Sequence, residues 1–381
     1  MRESNNMGNG RILKYITDFF KKETVLCISA LMAAGSMFFV PPDVGYLSYP
    51  DYRVLALLFG LMLVIAGLQD IGLFEYLGFW FLPKIRNTGQ LGFLLVALCF
   101  FASMFITNDV ALLTFVPFAV MTLTMAGQRR MLIRVVVLQT LAANLGSMAL
   151  PVGNPQNLYL YATFELPVET FLGYMLPLAL FSFLLLTAVV LWGGKEDVTV
   201  ELSGRDAPLE RKGLIVYGIL FLVCLACVFR LVPWQVMLAL LVLTVFCTDR
   251  RLFGKVDYFL LLTFVCFFVF IGNVGRIPAI SALVRDVIRG RELSAGVLLS
   301  QVISNVPAAI LLSGFTDDAR ALLYGVNIGG LGTLIASLAS VISYRIYGNG
   351  EGAQKGAYLK TFTLYNVMFL AILYAVAVVL L

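Results

Sequence analysis

The chain has 381 residues, 60% of them hydrophobic and only 13% charged, with a formal net charge of +5 and no histidine. A soluble domain carries about a quarter charged residues and keeps its apolar runs short, so a mean hydropathy of +0.93 excludes a soluble enzyme, a nucleic-acid binder and a disordered regulator. Without imidazole, zinc proteolysis, histidine-ligated haem and a Ser-His dyad are excluded as well, and the composition reads as an all-α polytopic membrane protein that is not an enzyme.

The basic tail (Arg2, Arg11, Lys14, Lys21, Lys22) leads into an apolar run at 24–40. No convincing small-residue cleavage site follows, so this run is taken as the first span rather than a signal peptide. A span needs roughly 20 apolar residues. Full spans follow on that criterion at 54–72, 132–162, 170–193, 213–229, 231–248, 258–275, 320–347 and 361–381. Two further apolar segments, 91–126 and 294–315, are interrupted at their centres by Thr107-Asn108-Asp109 and Ser304-Asn305. Polar backbone at that depth is tolerated only when buried in protein or facing water, so both are read as re-entrant hairpins. The stretches 73–81 and 276–292 precede the hairpins and carry interfacial character, the second with Ile280, Leu283, Val284, Val287 and Ile288 at helical spacing between arginines. The Cys224/Cys227 pair lies inside an uninterrupted span with no other soft ligand nearby, and reads as packing.

Lys and Arg placement sets the orientation. With the N-terminus cytoplasmic and the C-terminus outside, only Arg53, Arg230, Arg276, Arg285, Arg289, Arg291 and Arg320 of the 27 basic residues fall outside. The expected location is the cell (inner) membrane, the lipid bilayer being one partner and nucleic acid none.

An internal repeat organises the rest. Ser103-x-x-x-Thr107-Asn108-x-x-Ala111 aligns with Ser300-x-x-x-Ser304-Asn305-x-x-Ala308, and the same offset carries Phe118 onto Phe315. Asn144-x-Gly146 aligns with Asn327-x-Gly329, and Tyr161 with Tyr344. The first repeat occupies 1–193, a cytoplasmic loop and linking span 194–230, and the second repeat 231–381. The single linking span makes the second repeat inverted, an arrangement typical of secondary transporters.

Each repeat contains two breaks. One pair is the hairpin tips; the other is Gly146 to Asn157, with Pro151, Gly153, Asn154, Pro155 and Gln156, against Gly329-Gly330-x-Gly332-Thr333 running to Ser337 and Ser340. Helix ends at such breaks offer N–H groups to anions and carbonyls to cations. The candidate substrate site is therefore Thr107, Asn108, Asp109, Asn154, Pro155, Asn157, Ser304, Asn305, Thr333 and Ser337. Candidate sodium sites are Ser103, Thr107, Asn108 and Gly153 in one half and Ser300, Ser304, Asn305 and Ala336 in the other. Asp109 is the sharpest single residue, because an intramembrane carboxylate is functional by default; it is a candidate carrier of a proton or cation. No cofactor is expected beyond sodium or a proton as coupling ion, and no nucleotide-binding loop is present.

These residues resemble the ion transporter superfamily, which groups divalent anion/sodium symporters and citrate carriers with arsenite efflux permeases and some sodium/proton antiporters. The symporter branch carries Ser-Asn-Thr at both tips. Here Thr107-Asn108-Asp109 and Ser304-Asn305-Val306 keep the asparagine but lose the threonine that meets a substrate carboxylate, and Asp109 would repel one. Asn108-Asp109-Val110, Asn305-Val306-Pro307 and Ile335 to Ser340 are similar to the arsenite permease branch, whereas Gly153-Asn154-Pro155-Gln156-Asn157 resembles the carboxylate and antiporter branches. The resemblance implies a homodimer in which a transport domain of hairpins and broken helices slides, as an elevator, against a scaffold. The expected function is secondary transport of a small anion or oxyacid coupled to a proton or sodium gradient by symport or antiport. The alternatives are a sodium/proton antiporter using Asp109 and, from another class, an ion channel.

Overall fold

The computed structural model describes residues 23–82, 85–192, 196–197, 209–350 and 352–381. Arg2, Arg11, Lys14, Lys21, Lys22, Lys84, Lys195 and Arg205, counted above as cytoplasmic, lie outside the described residues. The chain is all-helical over those residues, apart from one isolated bridge between Asn87 and Asp197.

The first half contains α1 (Thr24–Met37), α2 (Tyr52–Asp70), α3 (Leu73–Phe81), α4 (Thr88–Ile106), α5 (Asn108–Met125), α6 (Leu132–Ser147), α7 (Pro155–Thr163) and α8 (Val168–Leu191). The linking span is α9 (Arg211–Val228). The second half contains α10 (Trp234–Thr248), α11 (Tyr258–Gly275), α12 (Pro278–Ile288), α13 (Glu292–Ile303), α14 (Asn305–Ser313), α15 (Ala319–Gly329), α16 (Leu338–Gly348) and α17 (Lys355–Leu380).

Local chemistry sets several of these starts. The carboxylates of Asp51, Asp257 and Asp318 and the amide oxygens of Asn87 and Asn154 each accept a backbone N–H three residues on, which satisfies a donor that would otherwise be orphaned. Pro155 and Pro278 occupy first-turn positions where the missing N–H costs nothing.

Seven helices among the described residues are long and apolar enough to cross a membrane. Five of them, α2, α8, α9, α11 and α17, coincide with predicted full spans. The other two are the arms of the first hairpin, 19 and 18 residues long and hence about 28 Å each, whereas the second hairpin has arms of 12 and 9 residues. Helix α1 has 14 residues and α10 has 15, shorter than the expected spans at 24–40 and 231–248. Pro233 caps the start of α10, and Phe38 ends α1 in a turn onto Gly35 and Ser36. The expected spans 132–162 and 320–347 are each two helices separated by a break, as their glycines and prolines require.

Within each half the first hairpin arm packs on the broken helix: α4 on α6, and α13 on α15. Across the halves the packing is reciprocal, with α16 on α5 and α7 on α14. Helices α2, α9 and α10 form a second group, and α1 lies along α11. Ile215, Ile219, Leu222, Leu240, Leu243, Leu180 and Leu184 are all exposed, an apolar outer surface suited to lipid. On α12 the apolar residues Leu283 and Val287 are exposed while Ile288 is buried, as an interfacial helix requires. Polar loop contacts join ends that the charge rule puts on one side: Asp70 pairs with Lys255, Asp43 with Arg276, and Thr316 donates to Glu292.

Candidate functional site

Both hairpins turn on a single non-glycine residue held at positive φ. Thr107 has φ 69° and ψ 151°; Ser304 has φ 77° and ψ 157°. That region is nearly glycine-only and costs of order 1–3 kcal/mol per residue. The same strained conformation thus recurs at both tips. The next residue completes the tip. Asn108 Oδ1 accepts from the Asp109 N–H at 3.0 Å, and Asn305 Oδ1 from the Val306 N–H at 2.9 Å.

The arm before each tip lies against a glycine of the broken helix behind it. A Cβ on Gly146 would stand 2.1 Å from the Phe100 carbonyl oxygen and 2.6 Å from Ser103 Oγ; one on Gly329 would stand 2.7 Å from Ser300 Oγ. Ser103 and Ser300 therefore approach matching glycines, and each donates its hydroxyl to its own helix, to Phe100 O and Gly296 O.

The breaks are joined by buried amides. Asn144 Oδ1 accepts from Asn108 Nδ2 and from Ser337 Oγ, both at 2.9 Å, and Asn144 Nδ2 donates to the Gly330 carbonyl at 3.5 Å. Asn327 Oδ1 accepts from Asn154 Nδ2 at 3.1 Å, and its Nδ2 donates to Asn157 Oδ1 at 2.7 Å. Ser337 is the positional equivalent of Asn154, so the helix asparagine of each half accepts a bond from the break of the other.

The carbonyls freed at the breaks are already engaged. Asn157 Nδ2 donates to the carbonyls of Ser147, Met148 and Leu150 at 3.5, 3.1 and 3.4 Å. Gln301 Nε2 donates to those of Gly329 and Leu331 at 2.8 and 2.9 Å, while its Oε1 accepts from the Thr333 N–H at 2.9 Å.

Two adjoining cavities open in front of the tips. One, of about 120 Å³, is lined by Asn108, Asp109, Pro155, Ser304, Asn305 and Ser337 together with Thr263 of α11 and Asp257 at its start. The other, of about 240 Å³, shares Asp109, Pro155 and Asp257 and adds Thr107, Asn154, Gln69 and Lys255. Asp109 thus faces both, and its Oδ1 is buried with no hydrogen-bond partner. A bare carboxylate oxygen there is costly unless a proton or cation satisfies it.

Of the ten predicted substrate residues, these cavities gather Thr107, Asn108, Asp109, Asn154, Pro155, Ser304, Asn305 and Ser337. Asn157 is instead fully buried among the carbonyls it holds, and Thr333 is exposed on Gln301. In the sodium sets, Ser304 Oγ meets the Ala336 carbonyl at 3.3 Å, whereas the hydroxyls of Ser103 and Ser300 point along their own helices. Asn144, Asn327, Gln301 and Asp257 were not in the predicted site. The repeat alignment pointed to the first two; Gln301 and Asp257 carried no signal beyond a polar residue near a helix end.

The citrate transporter family model matches residues 19–320. The chain belongs to the citrate transporter family. It is 32% identical over 331 residues to an uncharacterised transporter of Methanocaldococcus jannaschii, covering 86% of this chain and 89% of that one. It is 31% identical over 329 residues to the inner membrane protein YbiR of Escherichia coli, covering 83% and 86%. A silicon efflux transporter of rice is 30% identical over 139 residues, 36% of this chain and 28% of that one. With its membrane-crossing helices, this citrate transporter family member is a membrane transporter.

Proposed function

We propose that the protein is a secondary active transporter that carries a small anion or oxyacid across the inner membrane by an elevator motion, driven by a proton or sodium gradient. The observation that carries this reading is the meeting of two equally strained hairpin tips with two helix breaks around one pair of cavities. The reciprocal Asn144–Ser337 and Asn327–Asn154 bonds and the reciprocal packing of α16 and α7 support two inverted repeats, with the N-terminus cytoplasmic and the C-terminus outside. Hairpins and broken helices would form the moving domain, and the group containing α2, α9, α10 and α11 the scaffold of a homodimer. Paired breaks around one site, rather than a continuous pore, support alternating access over a channel.

Asp109 repels a carboxylate, which places an oxyacid ahead of citrate; the rice relative named for silicon efflux points the same way. The buried, unpartnered Asp109 Oδ1 between the two cavities supports a proton as coupling ion with Asp109 as its carrier. The unpartnered Asp109 Oδ1 also favours a second reading, a sodium/proton antiporter using the same residue.

A thermal-shift screen of the purified protein against oxyacids, carboxylates, arsenite and monovalent cations identifies the ligand, since a specific ligand stabilises the state it binds. Proteoliposomes with imposed pH and sodium gradients then read the coupling. Asp109→Asn should lose proton-driven flux because an amide cannot titrate, while ligand binding survives. Partial recovery at high sodium would instead make Asp109 a sodium ligand. Parental behaviour under both gradients would remove Asp109 from coupling.

A further inference from the structure

A larger cavity, of about 540 Å³, lies away from the tips, where the turn between α5 and α6 meets the turn between α16 and α17. Arg129 and Arg130 line it from the first turn, and Gly350, Gly352 and Gln354 from the second. Both arginines are exposed, and no described carboxylate pairs with either. Arg345 in the last turn of α16 and Lys355 at the start of α17 add further positive charge. Glu351, the acid of this turn, lies outside the described residues.

Two helices begin at this cavity, α6 with 16 residues and α17 with 26, and neither has a side-chain cap. Ile133 of the first turn of α6, and Gln354 just before α17, are lining residues. The positive ends of two helix dipoles therefore add to the field of the arginine pair. The Tyr347 hydroxyl accepts from the Gln354 N–H at 3.0 Å and holds the second turn in place. The remaining wall is apolar, formed by Val120, Leu132 and Ile346 among others.

We infer that this cavity binds a phosphate-bearing anion, whether inorganic phosphate or the headgroup of an anionic phospholipid, on Arg129 and Arg130. The volume is far larger than a monatomic anion needs, and each planar guanidinium can donate paired N–H groups to two oxygens of a tetrahedral phosphate. The apolar wall beside the arginines suits the glycerol and first acyl carbons of a lipid. One turn comes from each half of the molecule, so a bound anion ties the two halves together at this surface.

The test uses the full chain in phosphatidylcholine nanodiscs, titrated with inorganic phosphate in one arm and reconstituted with increasing phosphatidylglycerol in the other. The parent should gain roughly 2–4 °C in unfolding temperature in at least one arm. A gain with phosphate marks a soluble anion; a gain with phosphatidylglycerol alone marks the lipid headgroup. R129Q/R130Q should weaken apparent binding at least tenfold, since charge-assisted contacts are lost. R250Q/R251Q removes the same charge from a loop where Arg251 pairs with Asp249 and Arg250 covers Phe246, and should retain the gain. Asn108→Ala should retain it too, which separates this cavity from the tips. Should the double variant not purify, R129Q and R130Q singly must each show a reduced gain. No gain in either arm, full gain without the arginines, or an equal loss in R250Q/R251Q overturns the assignment.

Discussion

Asn144 stands where the first hairpin tip meets the second helix break, so removing it tests how the two halves are joined. Asn144→Ala strands Asn108 Nδ2 and Ser337 Oγ, each at 2.9 Å, and the more distant Gly330 carbonyl. Asn144, Asn108 and Ser337 are 4%, 5% and 1% exposed, so the stranded groups are largely shut off from bulk water. At about 1–3 kcal/mol for each of the two unsatisfied buried groups, with the long Gly330 bond adding little, the loss is roughly 2–6 kcal/mol. Asn327→Ala should cost a similar amount, since it strands Asn154 and Asn157. Double-mutant cycles read by denaturant unfolding in mixed micelles separate the pairs. Asn144 with Ser337, and Asn327 with Asn154, should each show coupling of about 0.5–1.5 kcal/mol. Asn327 with Ser337, which share no bond, should be additive within about 0.5 kcal/mol. Equal coupling in that control pair would refute the reciprocal arrangement.

Gly146→Ala should destabilise by about 3 kcal/mol or more, because its Cβ would overlap the Phe100 carbonyl, which belongs to backbone and cannot swing aside. Gly218→Ala, whose Cβ would meet nothing within 4 Å, should be neutral or stabilise by up to about 1 kcal/mol; a thermal melt of the two variants checks the contrast. On the opposite side, the hydrogen bond from Arg276 holds the Asp43 carboxyl below its ordinary value of 3.8. A carboxyl lowered in the fold contributes stability that is complete above its unfolded value and vanishes as pH falls through the folded one. The acid-side drop in unfolding temperature between about pH 6 and about pH 3 should therefore be smaller in Asp43→Asn. Single cysteines at Gly254 and Asp317, in a background without native cysteines, should react with impermeant reagents from opposite sides of the membrane; labelling from one side would contradict the topology.

Both hairpin tips were legible in the sequence because polar residues interrupting an apolar run have few places to go in a bilayer. The helix breaks were equally plain: Pro155 and the glycines around it cannot continue α6, and Gly329, Gly330 and Gly332 stop α15. The arm lengths of the first hairpin were not legible: 91–126 reads as a re-entrant hairpin, whereas α4 and α5 are each long and apolar enough to cross a membrane. Asn144 and Asn327 appeared in the repeat alignment, but a lone asparagine in a helix reads as packing until its partner from the other half is known. Asn157 and Thr333 were taken for substrate residues on their position in the breaks. The Asn157 amide is spent on the carbonyls of its own break and Thr333 bonds to Gln301, contacts set by local geometry that spacing does not encode. Asp257 shares both cavities with Asp109 because α11 packs on α14, a long-range arrangement with no local signature.

The claim that the paired tips form the transport site is tested most directly by gradient-driven flux of the ligand found in the stability screen, measured in proteoliposomes containing Asn108→Ala or Asn305→Ala. Both side chains are nearly buried, and both tips line the 120 Å³ cavity. The account predicts that each variant abolishes flux while the protein still purifies as the parent's oligomer. Full flux through both variants would contradict it and remove the site from the tips.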